Sequence, residues 1–406
     1  MRVLCTAVLS PSHTREALRF ARLLAEAGHE VHIATEAHLG DIFLDRGFSA
    51  TACLPDLLDD AMTAGRECEE AVERMQNGTA SEESVAFVLA GPHLKGQYRA
   101  LETVAQRFKP DVILRDGMDV SAVLVAERLG VPHLALPSGA KAYTDPAAVL
   151  PHLNRWRATA GLPQRTDPLS MMPYGHLDYL PPSFTFAPHL PTALTYRQPA
   201  FADPKAALQT SIADLPLDRP LVYAGIGWAL PLFLPSPGGS PPPPGRPDPV
   251  AVLRAMVDGL AQVDCRAVVS TSGVPVPDLR PAPHVLVVDS VPQPLLLEEA
   301  CLFVTHGGYN SVREAIRTGT PMAVLPQLAD QPVNAARVAE LGLGAEITDP
   351  TPAGVASVCR RLLDDTGVRR RARQARLACL ALPPVETAVG DVENLVKRHH
   401  GPVGDG

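Results

Sequence analysis

Residues 301–321 read CLFVTHGGYNSVREAIRTGTP, and the change of pattern inside this stretch decides the fold. The first five residues, CLFVT, are apolar and partly β-branched, which is typical of a buried strand. A helical pattern follows, with Val312, Ala315 and Ile316 on one face, and the Gly-Thr-Pro at its end stops the helix. A strand that leads directly into a helix is the repeating unit of an α/β fold with a parallel sheet.

Gly307 and Gly308 lie in the turn between this strand and this helix. Glycines in such a turn let the backbone approach a ligand closely, and the helix N-terminus adds donors and a partial positive charge. The turn therefore suits a phosphate group. The alternative is a helix start that binds nothing, because Ser311 and Glu314 fit the S-x-x-E capping-box pattern. The Walker pattern G-x-x-x-x-G-K-[ST] is absent, which argues against a P-loop enzyme.

Composition limits the classes of function. The length of 406 residues suggests two domains, and 46% apolar with 20% charged residues is typical of an ordinary globular protein. The net charge of −8 argues against nucleic acid as a partner, and the absence of a long apolar run argues against a membrane. Seven scattered cysteines without a C-x-x-C pair favour reduced thiols in a cytoplasmic protein. The opening, MRVLCTAVLS, is interpreted as a first strand and not as a signal peptide.

Strand and helix patterns alternate in both halves of the chain. They predict two doubly wound, Rossmann-like domains whose ligands lie at the carboxyl ends of the strands. We place an N-terminal domain at 1–205, a linker at 206–217, a C-terminal domain at 218–384, and a terminal helix and tail at 385–406. The proline-rich segment 235–249 cannot form regular structure, and it is interpreted as a loop that is either a surface insertion or a lid.

The run from 305 to 344, THGGYNSVREAIRTGTPMAVLPQLADQPVNAARVAELGLG, resembles the donor-binding signature of family 1 glycosyltransferases with the GT-B fold. Bacterial members that glycosylate natural products are the nearest likeness. The resemblance extends over most of the chain and is weak at 50–100 and 140–215. It implies an α/β fold of two Rossmann-like domains that face each other across a cleft, with the terminal helix crossing back to the first domain.

The resemblance assigns a donor site. The residues that it implies for the diphosphate are His306, Gly307, Gly308, Asn310 and Ser311. Glu314 resembles the carboxylate that accepts from the ribose hydroxyls. Asp330 and Gln331 resemble the pair that hydrogen-bonds the sugar, although Asp330 alone could instead cap a helix that begins at Pro332.

Other donor positions follow from neighbouring segments. Val291 and Gln293 resemble residues that line the nucleobase and ribose. Trp228 stands where the family commonly has serine or threonine. Three alternatives follow: a phosphate contact is lost, the indole N–H replaces that hydroxyl, or the ring packs on the acceptor. A uracil base and a thymine base are not distinguished by these residues.

The opening of the chain resembles the part of the family that carries the catalytic base. His13 lies sixteen residues before His29, the spacing the family shows, and follows the first strand. The resemblance makes His13 the general base and Asp116 the carboxylate that orients it. Asp119 is the rival to Asp116, but we expect it to cap the following helix.

Two departures affect this region. Ser12 replaces the family glycine, so the turn before the first helix is expected to differ. Glu16 replaces an expected proline, which puts an extra charge near the acceptor entrance.

The resulting hypothesis is an inverting glycosyltransferase that moves a hexose or deoxyhexose from a TDP- or UDP-sugar to a hydroxyl of a small hydrophobic or aromatic acceptor. No D-x-D metal motif occurs, so we expect neither a metal nor another cofactor. The alternative is a sugar-nucleotide-binding or activator protein without transfer activity. A nicotinamide oxidoreductase is a weaker alternative, because no complete G-x-G-x-x-G follows the first strand of either half. The oligomeric state, monomer or homodimer, is left open.

Overall fold

In the computed structural model, the described residues are 1–76, 79–138, 144–200, 212, 214–216, 218–227 and 248–400. They form two compact units. The N-terminal unit holds Met1–Met75, Thr79–Arg197 and the chain from Pro383 onward, and the C-terminal unit holds Gln198–Leu382. Most of the predicted linker, Trp228, and residues 235–247 of the proline-rich segment lie outside the described residues.

The N-terminal unit is built on a parallel sheet with the strand order β3-β2-β1-β4-β5-β6-β7. Its strands are β1 Arg2–Ala7, β2 Glu30–Glu36, β3 Ser49–Leu54, β4 Val112–Arg115, β5 His133–Ala135, β6 His176–Asp178 and β7 Thr192–Thr195. The chain adds β2 and β3 on one side of β1 and then returns to add β4 on the other. The switch point of this sheet therefore lies between the carboxyl ends of β1 and β4, where ligands bind in such folds.

Helices connect these strands, and the region 56–107 is rich in helices. The helices are α1 Pro11–Glu26, α2 Gly40–Leu44, α3 Leu57–Thr63, α4 Arg66–Gln76, α5 Glu82–Ala90, α6 Leu94–Phe108, α7 Ser121–Leu129 and α8 Pro146–Thr159. Helical periodicity in the sequence is clear only from Arg15 onward, but the first helix begins four residues earlier, at Pro11. Pro11 occupies the first turn, where a missing N–H costs nothing, and the Ser10 side chain accepts from the His13 N–H as the N-cap.

The C-terminal unit has a second parallel sheet, with the order β10-β9-β8-β11-β12-β13. Its strands are β8 Leu221–Gly225, β9 Arg266–Ser270, β10 Val285–Val288, β11 Leu302–Thr305, β12 Met322–Val324 and β13 Gly344–Glu346. Its helices are α9 Pro249–Leu260, α10 Gln293–Glu299, α11 Tyr309–Thr318, α12 Gln331–Glu340, α13 Pro352–Asp364 and α14 Thr366–Leu380. The switch point lies between β8 and β11, directly before the Gly307–Gly308 turn.

The last helix, α15 Ala388–His400, belongs to the N-terminal unit. Val392 is fully buried and Leu395 is 6% exposed, in one apolar cluster with Phe20 and Leu24 of α1. Tyr196 donates its hydroxyl hydrogen to Asp391 Oδ2 at 2.9 Å. The end of the chain thus completes the core of the unit in which the chain begins.

All seven cysteines are free thiols, five of them buried, as predicted. Among the described residues, none of the helices combines the length and the apolar character needed to cross a bilayer.

Candidate functional site

The turn from β1 into α1 positions His13. Leu9 adopts a left-handed conformation with φ of 75°, and its N–H donates to Glu36 Oε2 at 3.0 Å. The other oxygen of Glu36 accepts from the Leu57 N–H at 3.1 Å. Burial raises the pKa of Glu36 to about 8, and these two N–H donors only partly offset that effect. Glu36 therefore ties the turn before His13 to the start of α3.

The structure brings His13 and Asp116 together at the switch point of the first sheet. His13 Nδ1 lies 3.0 Å from Asp116 Oδ2 and 3.2 Å from Oδ1. Asp116, only 1% exposed, also accepts from the Met118 N–H at 2.8 Å and from the Ser138 hydroxyl at 2.9 Å. Burial alone would raise the pKa of Asp116, but the His13 ring and these donors outweigh it and hold the pKa below its ordinary value. The carboxylate is therefore ionised, and its position is fixed.

Arg115 holds the backbone of the loop that carries Asp116. This side chain is fully buried, and its Nη1 donates to the carbonyl oxygens of Asp116, Gly117 and Asp119 at 3.2 to 3.4 Å. Its Nη2 donates to the Met171 carbonyl at 3.1 Å. Burial lowers the pKa of Arg115 to about 10, against the opposing effect of the nearby carboxylates, so the cation persists at neutral pH.

Asp119 accepts hydrogen bonds at the start of the next helix as expected, although the N-cap residue of that helix is Val120. Its Oδ1 accepts from the N–H groups of Ser121 and Ala122, at 3.0 and 3.3 Å, at the start of α7. Glu16, expected to add a charge near the acceptor entrance, is 3% exposed. Its carboxylate forms an ion pair within α1, where Oε2 lies 3.6 Å from Arg19 Nη1.

In the C-terminal unit, the His306 ring occupies a slot between two glycines. A Cβ on Gly308 would overlap with Nε2 of this ring and lie 3.2 Å from its Cδ2, and a Cβ on Gly227 would lie 2.6 Å from Nε2. Burial lowers the pKa of His306 to about 4, although a hydrogen bond with the Gly225 backbone opposes the shift. The ring is therefore neutral at pH 7. The glycines that suggested a close approach to a ligand also accommodate this imidazole.

Gln293, Ser311 and Glu314 meet at one face of α11. The Gln293 amide nitrogen donates to Glu314 Oε2 at 2.7 Å and to Ser311 Oγ at 3.2 Å. Its Oε1 lies 3.3 Å from the Tyr223 hydroxyl, which donates to it. The capping-box alternative for Ser311 and Glu314 is wrong. The helix begins at Tyr309 with Gly308 as N-cap and no side-chain cap, so both side chains lie inside the helix.

Asn310 and Tyr309 stand in the first turn of α11, and both contact Arg313. The Arg313 guanidinium donates to Asn310 Oδ1 and lies 5.0 Å from the centre of the Tyr309 ring. A cation is thus fixed near the helix N-terminus, where a phosphate group would already be favoured.

Asp330 and Gln331 begin α12, and the two side chains have different surroundings. Asp330 is the N-cap residue but makes no side-chain cap, so the simple capping alternative is wrong. Its Oδ2 instead accepts from Asn334 Nδ2 at 2.9 Å. Gln331 is 3% exposed, and its Oε1 accepts from the N–H groups of Gln327 and Leu328 at 2.8 and 3.1 Å. Gln331 therefore shapes the turn after β12 with its carbonyl oxygen.

The remaining predicted donor residue in the described chain, Val291, is partly buried two residues before α10. Among the described residues, Glu36, His38 and Asp56 form a group that could hold a metal ion, with ligand atoms within 4.8 Å of one another. The contacts of Glu36 with two N–H groups, and of Asp56 Oδ1 with those of Leu58 and Asp59, give both carboxylates structural roles.

Sequence reasoning missed several residues that support these sets. Those with direct contacts to them are Glu36, Arg115, Ser138, Tyr223 and Asn334. Two of them carried a signal. Arg115 is a charged residue inside the apolar run VILR, and Asn334 follows Asp330 by one helical turn. The others required knowledge of which strands are neighbours.

Part of this chain matches a known family model, and the similar proteins described below are glycosyltransferases. Residues 254–395 match the family "Erythromycin biosynthesis protein CIII-like, C-terminal domain". Tylactone mycaminosyltransferase of Streptomyces fradiae is 24% identical over 98% of this chain and 93% of its own. NDP-glycosyltransferase YjiC of Bacillus subtilis is 33% identical, but that match spans only 27% of this chain and 28% of YjiC.

Solved structures of low sequence identity agree over nearly the whole chain. The glycosyltransferase VinC in complex with DTDP has a TM-score of 0.70 at 24% identity, covering 98% of this chain and 100% of VinC. SnogD from Streptomyces nogalater has a TM-score of 0.71 at 22% identity, covering 97% and 99%. The chain therefore has the two-domain GT-B fold, its residues 254–395 are similar to the EryCIII-like C-terminal domain, and its sequence relatives are glycosyltransferases.

Proposed function

We propose that this chain is an inverting glycosyltransferase that moves a hexose or deoxyhexose from a TDP- or UDP-sugar to a hydroxyl of a small natural-product-like acceptor. The contact of His13 Nδ1 with Asp116 at 3.0 Å carries the proposal, because it joins a base and its orienting carboxylate at a sheet switch point. The relation to tylactone mycaminosyltransferase supports the class of acceptor, and the DTDP complex of VinC supports the class of donor.

In the proposed reaction, the acceptor hydroxyl attacks the anomeric carbon of the donor sugar. Asp116 keeps a proton on Nδ1 of His13, so Nε2 is the nitrogen that accepts the proton from the hydroxyl. A new bond forms between the acceptor oxygen and the anomeric carbon. The bond from that carbon to the diphosphate breaks on the opposite face, and the diphosphate leaves with the electron pair. General-base assistance of this kind contributes about 10² to 10⁴ in rate.

The leaving diphosphate is assigned to the N-terminus of α11. His306, Asn310 and Ser311 supply side-chain donors there, and the free N–H groups of the first helical turn add to them. The Gly307 N–H itself donates to Thr305 Oγ1 at 3.2 Å and so shapes the turn. Glu314 accepts hydrogen bonds from the ribose hydroxyls; in the structure, its Oε2 accepts from the Gln293 amide. Asp330 and Gln331 form hydrogen bonds with the hydroxyls of the sugar. Val291 and Gln293 line the base. Trp228 lies outside the described residues, and its role at the donor or the acceptor stays a prediction.

We propose that the departing charge is stabilised without a metal. Turnover in excess chelator is expected to equal that of the untreated protein. Turnover that chelator abolishes and Mg²⁺ or Mn²⁺ restores would refute this part of the proposal.

Calorimetric titration with UDP, dTDP and their glucose derivatives tests the donor site first. One nucleotide is expected to bind tightly to the wild-type protein and to His13→Ala, and weakly to His306→Ala. His189→Ala, which changes an exposed histidine, is the matched control and should bind like the wild type.

Transfer assays with a panel of hydroxylated polyketide and aromatic acceptors then test the base. His13→Ala should lose at least about 10²-fold in kcat while the nucleotide affinity is kept. Nucleotide binding without turnover in the wild type would instead favour a sugar-nucleotide-binding protein that does not catalyse transfer.

A further inference from the structure

Asn334 connects two parts of the proposed donor site. It lies in α12, is fully buried, and donates from Nδ2 to the Gly307 carbonyl and to Asp330 Oδ2, both at 2.9 Å. Gly307 belongs to the turn assigned to the diphosphate, and Asp330 is assigned to the sugar. One amide group thus contacts the backbone of the first and the carboxylate of the second.

The orientation of this amide is determined by its neighbours. Both groups that face Nδ2 are acceptors, so an amide turned by 180° would place an oxygen against two oxygens. Within the described part of the chain, Asn334 Oδ1 has no hydrogen-bond partner. A buried acceptor without a donor destabilises a fold, and an apolar residue would avoid that cost. Asparagine is therefore needed at this position for the two N–H groups that its amide donates, and not for the way its side chain packs.

The contact also changes what Asp330 does. An aspartate at an N-cap normally has extended backbone angles and turns its carboxylate to the first N–H groups of the helix. Asp330 has φ of −77° and ψ of −5°, and its side chain makes no cap. Asn334, one turn further along the helix, draws the carboxylate to itself instead.

The backbone of Gly307 is constrained at the same point. Its φ of +85° is left-handed, and a Cβ there would lie 2.7 Å from Val324 Cγ1. The N–H from Asn334 fixes the carbonyl of this residue, and hence the plane of the peptide that leads into Gly308 and the helix N-terminus.

We propose that Asn334 is a positioning residue of the donor site, which holds the diphosphate turn and the sugar-binding carboxylate of Asp330 in one fixed arrangement. The inference rests on the proposed function and adds to it a residue that touches no substrate. Because Asn334 contacts the parts of the site that are assigned to the diphosphate and to the sugar, its replacement should lower the affinity for the diphosphate. It should also change how much the sugar contributes to the binding free energy.

The test compares dTDP, UDP, dTDP-glucose and UDP-glucose as calorimetric probes of the full-length wild type, Asn334→Ala and the isosteric Asn334→Asp. For the nucleotide that the wild type binds, Kd should rise about tenfold or more in both variants, the effect of losing a hydrogen bond to a charged or buried group. The ratio of the Kd values for sugar nucleotide and bare nucleotide should also change. Val333→Ala, on the same helix but 40% exposed, is the matched control with unchanged values.

A cycle with Asp330→Ala separates positioning from a merely structural role. In the Asp330→Ala background, Asn334→Ala should no longer change the ratio between sugar nucleotide and nucleotide, because the carboxylate it orients is gone. Circular dichroism identifies folded variants, and Asn334→Asp carries the comparison if Asn334→Ala does not fold.

The outcomes distinguish this inference from the function on which it rests. Unchanged Kd values and an unchanged ratio in a folded Asn334 variant overturn the inference and leave the proposed function intact. An effect of Asn334→Ala on the ratio that persists without Asp330 also overturns it. A wild-type protein that binds none of the four probes overturns both.

Discussion

At the scale of single residues, the slot around His306 explains why glycine stands at position 308. Gly308 has φ of −60° and ψ of 139°, which any residue can adopt. Its backbone therefore does not require glycine, but the imidazole beside it leaves no room for a Cβ. The side chain of His306, two residues earlier, is therefore what restricts this position to glycine.

We predict that Gly308→Ala displaces His306 and weakens binding of the diphosphate by about tenfold or more, since a charge-assisted hydrogen bond is lost. Calorimetry with the nucleotide that the wild type binds measures the effect. Gly390→Ala is the control, because a Cβ there meets nothing within 4 Å.

The double variant with His306→Ala gives a second check on this slot. Without the ring, Gly308→Ala should cost little further stability in urea denaturation. A full additive loss in the double variant would show that the ring is not what excludes the methyl group.

His133 gives the N-terminal unit a dependence on pH. Burial, helped by the charges of Arg115 and Arg157, lowers the pKa of this histidine from 6.5 to about 3. Among the described residues, neither of its ring nitrogens has a hydrogen-bond partner. Because the folded-state pKa lies below the ordinary value, the stabilisation by the neutral ring is complete above pH 6.5 and is lost as the pH falls toward 3.

We therefore predict that His133→Leu loses less free energy of unfolding than the wild type between pH 6.5 and 3, by on the order of 4 kcal/mol. At pH 7 the variant should be at least as stable, because an apolar side chain leaves no unpaired nitrogen buried. Urea denaturation at a series of pH values measures this. Parallel curves for the two proteins would contradict the prediction.

At the scale of elements, the buried guanidinium of Arg115 fixes the backbone of the loop between β4 and α7. Four carbonyl oxygens accept from this one guanidinium, and they come from the loop itself and from Met171. Asp116 owes its position to that support as well as to Ser138. The geometry of the His13–Asp116 pair is thus a property of the loop.

We predict that Arg115→Met lowers kcat by about 10²-fold through misplacement of Asp116, while nucleotide affinity stays within a factor of about two. Arg115→Lys should recover only part of the loss, because one ammonium cannot reach all four carbonyls. Arg128→Met on α7 is the control. Full turnover in folded Arg115→Met would refute the positioning role.

The beginnings of helices show what local sequence can and cannot predict. Ser10 was not predicted as an N-cap because Pro11, Ser12 and His13 do not look helical without knowledge of the turn before them. At α11 the S-x-x-E pattern suggested a cap, but tertiary contacts with Gln293 engage both side chains. A local motif predicts a local bond only when no distant partner competes for the same atoms.

At the scale of the whole molecule, the end of the chain stabilises the unit that contains its beginning. We predict that Leu395→Ala on α15 costs about 2 to 5 kcal/mol in the N-terminal unit, the usual effect of emptying a buried leucine site. Nucleotide affinity should remain unchanged, since the assigned donor residues lie in the other unit. Lys397→Ala, on the same helix with 72% side-chain exposure, is the control.

Urea denaturation followed by near-ultraviolet circular dichroism measures this stability, and calorimetry measures the affinity. Equal stability of Leu395→Ala and Lys397→Ala would contradict the packing of α15 on the first unit. A loss of nucleotide affinity in Leu395→Ala alone would show that the helix acts on the donor site.

The sequence by itself determined the α/β class and the two repeated halves. Hydrophobic periodicity and turn residues are local, so they can be read without knowing which elements are neighbours. The donor-site residues from His306 to Gln331 were predicted through family resemblance, and their roles stay predictions. The pairing of His13 with Asp116 was predicted through family resemblance, and the structure brings the two together. The supporting residues Glu36, Ser138 and Tyr223 were decided only by the tertiary structure. Their partners lie far away in the chain, and parallel strands that are distant in sequence become neighbours only when the sheet is assembled.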